Sequence, residues 1–107
     1  MSRFAEILER LQGVIESRRG ADPATSWSAK LLADTPLAAK KLAEEAMEAA
    51  LAAVQRDNDA LAAESADLIY HWLVLLAARG VSLDDVAGKL EAREGTSGIA
   101  EKAARES

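Results

Sequence analysis

Two short acidic stretches hold the residues best suited to chemistry: Glu44-Glu45-Ala46-Met47-Glu48, and Glu64-Ser65-Ala66-Asp67. On a helix turning about 100° per residue, Glu44 and Glu48 lie about 40° apart and Glu45 and Glu48 about 60° apart, so the three share roughly a third of the circumference. Glu64 and Asp67 share a face by the same reasoning. Like charges at these spacings repel by about 0.2–0.5 kcal/mol per pair, a cost that a cation between them offsets. Oxygen donors on two facing helices suit Mg²⁺ or Mn²⁺, hard ions that take carboxylates, keep several waters and also bind substrate phosphates. Glu-Glu-x-x-Glu by itself is equally an ordinary solvated face. The second stretch weighs against that reading, because Asp67 opens directly into Leu68-Ile69-Tyr70-His71-Trp72-Leu73-Val74-Leu75-Leu76, where an unpaired charge is costly. The pair of stretches therefore points to a magnesium site.

The elements that must position these acids are helices. Ala, Leu, Glu, Lys and Arg dominate the 107 residues, and no stretch alternates apolar and polar for long, which predicts an all-α, single-domain fold. Phe4, Ile7, Leu8, Leu11, Val14 and Ile15 recur at helical spacing, giving a first helix over about residues 3–19 that stops at Gly20. A short helix over 26–32, capped by Thr25 or Ser26, follows the break at Asp22-Pro23. Thr35-Pro36 reads as a cap followed by proline, starting a helix that runs to about Arg56. Asp57-Asn58-Asp59 marks a turn, after which a helix continues from about Ala60 to Arg79 and ends at Gly80. These two long helices form the central hairpin. Ser82-Leu83-Asp84-Asp85 resembles a capping box and opens a last helix ending near Arg93. The domain is thus residues 1–95, with 96–107 as a partly flexible tail.

Glu-Glu-x-x-Glu followed by Glu-x-x-Asp resembles the signature of the all-α, MazG-like nucleotide pyrophosphohydrolases. Three blocks narrow the likeness: Ser26-Trp27-Ser28-Ala29-Lys30-Leu31-Leu32, Lys41-Leu42-Ala43-Glu44-Glu45-Ala46-Met47-Glu48, and Ala66-Asp67-Leu68-Ile69-Tyr70-His71-Trp72-Leu73-Val74-Leu75-Leu76. They look like successive blocks of the phosphoribosyl-ATP pyrophosphohydrolase family, and Gly80-Val81-Ser82-Leu83-Asp84-Asp85-Val86 fits the same pattern. Trp27 stands where that family usually has tyrosine, and Ala43 where glycine is common. The resemblance implies a MazG-like helical bundle completed by dimerisation. It also implies Mg²⁺-dependent hydrolysis of 1-(5-phosphoribosyl)-ATP to 1-(5-phosphoribosyl)-AMP and pyrophosphate, the second step of histidine biosynthesis. By the same matches Glu45, Glu48, Glu64 and Asp67 would be the core metal ligands, with Glu44 a further ligand or the base that activates water. Catalysis would then rest on Glu44, Glu45 and Glu48, with Lys30, Lys41 and His71 as substrate-binding residues. The acidic signature alone also fits a house-cleaning pyrophosphohydrolase acting on dNTPs or modified nucleotides, or a non-catalytic helical interaction module. The blocks around Lys30 and His71 favour the histidine enzyme.

Composition excludes several other functions. A formal charge of −5 opposes a phosphate-backbone reader, so nucleic acid is not an expected partner. With no cysteine there is no disulfide framework, thiolate metal site or cysteine nucleophile. The N-terminus has acidic residues in place of a signal peptide's apolar segment, and the run from Leu68 to Ala78 is shorter than the roughly 18 apolar residues of a membrane span. A cytoplasmic protein that does not enter a membrane is the expectation. The same run is apolar on nearly every side, which predicts burial against a second copy in a homodimer or higher homo-oligomer.

Overall fold

The computed structural model describes residues 2–95 and 98–106, and every regular element among them is a helix. Of the predicted tail, positions 96, 97 and 107 lie outside the described residues. Helix α1 spans Arg3–Ser17, α2 Trp27–Leu32, α3 Thr35–Val54, α4 Asn58–Arg79, α5 Leu83–Ala92 and α6 Gly98–Glu106. Sequence patterning assigned the first five and gave no helix to the tail, where α6 stands.

Each of the first five helices starts at a short oxygen-bearing side chain that satisfies an otherwise orphaned backbone N–H. Ser2 accepts from the Ala5 amide at 3.1 Å, and Ser26, of the two candidate caps for α2, accepts from Ala29 at 3.1 Å. Asp34 caps α3 by accepting from Leu37 at 3.1 Å. The predicted cap, Thr35, is instead the first helical residue: Asp34 has the non-helical backbone a cap requires, and Pro36 fits in the first turn because it lacks the N–H a helix leaves unpaired. Asp57 caps α4, so Asn58 and Asp59, expected in the turn, begin the helix. At α5 the capping box is reciprocal: Ser82 accepts from the Asp85 amide at 3.0 Å and Asp85 from the Ser82 amide at 2.9 Å.

The longest packed surface is that between α3 and α4, an antiparallel hairpin joined through Gln55, Arg56 and Asp57. Arg56 takes the left-handed conformation (φ 59°), which lets the Asp57 amide reach back to the Ala52 carbonyl at 3.0 Å and close α3. Gly80 does the same for α4 at φ 70°, with Val81 N bonded to Leu76 O at 2.9 Å. Helices α1 and α2 lie against α4, around a core of Ile15, Leu31, Ala38, Leu73 and Val74. Burying each large side chain there contributes about 1.5–3 kcal/mol. The Arg19 guanidinium ties the end of α1 to this core by donating to the Ala77 carbonyl at 2.7 Å.

Helix α4 buries only part of its circumference. Leu73 and Val74 are enclosed, while Leu68, Ile69 and Trp72 line a shallow apolar cavity of about 470 Å³ with Leu42 and Ala46 of α3. Further along α3, Met47, Leu51 and Val54 are 66%, 51% and 81% exposed. Taken as a whole, α4 has 22 residues and a mean hydropathy of 1.3 in its most apolar window, enough by length and composition to cross a membrane. The uninterrupted run from Leu68 understated this, because the flanking alanines and Leu61 extend the apolar stretch upstream. In this fold α4 is the helix on which α1, α2 and α3 all pack.

Candidate active site

The hairpin brings three acids together. Glu48 lies six residues before the end of α3 and Glu64 six residues after the start of α4, so the antiparallel helices hold them at one level. Glu45 is one turn earlier on the same face of α3. One carboxylate oxygen from each of Glu45, Glu48 and Glu64 lies within 4.8 Å of the other two. Glu45 is only 9% exposed, and its Oε2 and that of Glu64 are buried with no hydrogen-bond partner among the described residues. Leaving charged oxygens unsatisfied is costly, and folded proteins rarely do so without a ligand to compensate. An all-oxygen, anionic donor set of this kind fits a hard divalent cation.

The crowding of these carboxylates favours a proton on one of them. Glu64 is pushed up from the ordinary 4.5 to about 7. The first cause is that a protonated Glu64 can donate to Glu48, followed by partial burial and by the charges of Glu48 and Glu45. Glu44 goes the other way. Its carboxylate accepts from Lys41 Nζ at 2.9 Å, and this bond holds Glu44 below, and Lys41 above, their ordinary values. Glu44 therefore stands beside the trio as a paired carboxylate, while Asp67 is exposed and outside the trio's spacing.

His71 is 7% exposed and fully engaged. Its Nδ1 lies 2.8 Å from the Asp67 carbonyl, which can only accept, so Nδ1 carries a proton. Its Nε2 accepts from the Trp27 indole N–H at 3.4 Å. The two bonds together specify the neutral imidazole with its proton on Nδ1. The Tyr70 ring meets His71 edge-on at 4.9 Å, and the Tyr70 hydroxyl is bonded to Ser28 at 2.5 Å, which fastens α2 to α4. Lys30, three residues after Trp27, is exposed and places its Nζ 5.7 Å from the indole centroid.

Of the eight predicted site residues, then, Glu45, Glu48 and Glu64 converge, Lys41 and Glu44 pair beside them, and His71 bonds the backbone of Asp67. Lys30 stands on α2 with its Nζ against the Trp27 ring, which in turn bonds His71. The α2 anchors, Trp27, Ser28 and Tyr70, were not assigned from sequence. The signal for them lay in the Ser-Trp-Ser block, but docking of α2 across 44 residues of sequence leaves no periodicity to read.

The sequence profile described as "Phosphoribosyl-ATP pyrophosphohydrolase" matches residues 8–94. Among curated proteins, one from Caulobacter vibrioides named phosphoribosyl-ATP pyrophosphatase is 67% identical over 103 residues, covering 96% of each chain. A protein of the same name from Caulobacter sp. (strain K31) is 66% identical over the full length of both chains. Another so named, from Cereibacter sphaeroides, is 58% identical over 100 residues, 92% of this chain and 97% of its own.

Proposed function

Since the chain belongs to the phosphoribosyl-ATP pyrophosphohydrolase family, we infer that it hydrolyses 1-(5-phosphoribosyl)-ATP between the α- and β-phosphates, releasing 1-(5-phosphoribosyl)-AMP and pyrophosphate in the second step of histidine biosynthesis. The observation that carries the mechanism is the acidic trio with its two orphaned buried oxygens. Glu45, Glu48 and Glu64 would hold Mg²⁺, or Mn²⁺ by the same donor chemistry, with Asp67 joining from the exposed edge of α4. When bound, such ions offset the charge of an anionic substrate on an acidic protein, polarise its phosphoryl oxygens and acidify water.

The side chains of the protein supply the rest. Glu44, kept ionised by Lys41, is assigned as acceptor of the proton lost by the attacking water. Lys41 can turn from Glu44 to a phosphate oxygen as substrate arrives, because its ammonium is a flexible point charge. Lys30 adds a second cation on the α2 side. His71 serves in this scheme to hold Trp27 against α4, through its bonds to the Asp67 carbonyl and the indole N–H.

The working unit is a homodimer closed over the apolar cavity of α3 and α4, which a chain this small cannot cover alone. We place this biosynthetic enzyme in the cytoplasm, with a nucleotide as its partner and neither nucleic acid nor membrane.

Incubation of the purified protein and Mg²⁺ with phosphoribosyl-ATP, and separately with a panel of dNTPs, tests the assignment. Pyrophosphate should be released from phosphoribosyl-ATP in preference to any dNTP. Preference for a dNTP would move the protein to the house-cleaning class, and no release from any substrate would leave a non-catalytic module.

A further inference from the structure

Trp27 is 43% exposed, yet its indole is held in place. The ring N–H donates to buried His71, which is itself locked to the Asp67 carbonyl, and the neighbouring Ser28 is bonded to Tyr70. A large aromatic ring, fixed along one edge and partly exposed, is the arrangement of a stacking platform; an unanchored surface tryptophan would have no defined orientation. The ring also already seats a cation, with Lys30 Nζ 5.7 Å from its centroid. Tryptophan is the best aromatic receptor for positive charge.

Resting on the reaction inferred above, we propose that the Trp27 face receives the adenine of the substrate as a cation, and that Lys30 holds that place in the free protein and moves to a phosphate when substrate binds. The chemistry of the substrate favours this. Its adenine carries a second ribose on N1, and adenine alkylated at N1 is protonated at neutral pH, so the base presents positive charge as well as a flat surface. The spacing is also suitable. Glu64 and His71 are seven residues apart on α4, about 10 Å along the axis, which is comparable to the reach from a nucleotide's phosphates across its ribose to its base. Stacking on Trp27 thus separates the substrate from ATP, whose adenine is neutral.

The test compares 1-methyl-AMP with AMP as ligands of the full chain in Mg²⁺. Wild type should bind the methylated, cationic nucleotide about five- to tenfold more tightly, as a partly desolvated cation–π contact provides. Trp27→Leu should abolish that preference while Mg²⁺ affinity holds, and Trp27→Phe should restore most of it; a merely structural role for Trp27 would change both nucleotides alike. In a Trp72→Phe background, where Trp27 is the sole indole, 1-methyl-AMP should quench fluorescence more than AMP, and pyrophosphate should not quench it. This measurement decides the matter should the leucine variant fail to fold. Equal affinity of wild type for the two nucleotides, a preference retained by Trp27→Leu, or equal quenching overturns the proposal. Pyrophosphate release from phosphoribosyl-ATP, measured in parallel, keeps the two readings apart. Its absence sinks the activity, whereas release alongside an unchanged preference in the leucine variant sinks only the role of Trp27.

Discussion

Loading the acidic trio with Mg²⁺ should expel a proton from Glu64, in a number set by pH. A carboxylate must be deprotonated to serve as a ligand, so metal and proton compete for the same oxygen. With Glu64 at about 7 in the free site, the protonated fraction is about 0.9 at pH 6, about 0.5 at pH 7 and about 0.1 at pH 8, and these are the protons released per site. Apparent affinity should follow, about fivefold weaker at pH 6 than at pH 7 and about fiftyfold weaker at pH 5. Isothermal titration calorimetry in two buffers of different ionisation enthalpy reads the proton number directly, and Glu64→Gln should bring it to zero. Stability carries the same signature with a defined sign. The folded state binds this proton more tightly than the unfolded chain, where the carboxyl returns to 4.5. The contribution is therefore fully present below about pH 4.5 and lost as pH rises through about 7, so this group makes the metal-free protein melt lower at pH 8 than at pH 5. Release below about 0.1 proton at pH 7, release that does not change between pH 6 and 8, or full release from Glu64→Gln would refute the shared-proton account.

Glu48→Gln and Asp67→Asn should each abolish turnover while the metal-free melting temperature holds or rises, since each removes a negative ligand and its repulsion; near-wild-type activity at limiting Mg²⁺ would exclude that residue from the site. Lys30→Ala should raise KM for phosphoribosyl-ATP more than it weakens Mg²⁺ binding, as an ammonium has no lone pair for a metal, and steady-state kinetics beside metal titration distinguish the two. Dilution should cost activity and stability together if the α3–α4 apolar face is a subunit boundary, and sedimentation analysis beside the assay would detect a fully active monomer of 11.4 kDa, which would disprove it. Leu73→Ala, at 2% exposure in the core, should destabilise the fold by about 2–5 kcal/mol in denaturant titration.

The fold was largely legible because its signals are local. Helical spacing of apolar residues, capping side chains and the glycine at position 80 each act within a turn or two of where they stand. Where a cap was misplaced the reason is plain: Thr35 and Asp34 both offer a capping oxygen, and only backbone geometry selects Asp34. The acids followed the same pattern. Glu45, Glu48 and Glu64 could be brought to one level by helical periodicity and a hairpin turn. Lys41 stands three residues before Glu44 and four before Glu45, either of which a helix allows as partner, and the pairing with Glu44 depends on a side-chain conformation that sequence does not state. Asp67 was expected to be enclosed because apolar residues follow it, but neighbours in sequence occupy different faces of a helix, and its own face is exposed. The Trp27–His71 contact joins elements far apart in the chain, and only tertiary packing reveals it.

The hairpin of α3 and α4 also bears on how the chain finds its structure. Its two arms are consecutive and joined by a short turn, so bringing them together closes only a small loop, and contacts of this low order form early and fast in helical proteins. The hairpin is therefore expected to form first, and the converging acids with it. Their mutual repulsion is then present in the folding transition state as well as in the finished protein, and anything that relieves it should accelerate folding more than it slows unfolding. Refolding monitored by stopped flow should thus quicken with Mg²⁺ or with Glu64→Gln, giving the cluster a kinetic cost during biogenesis that a bound cation would remove.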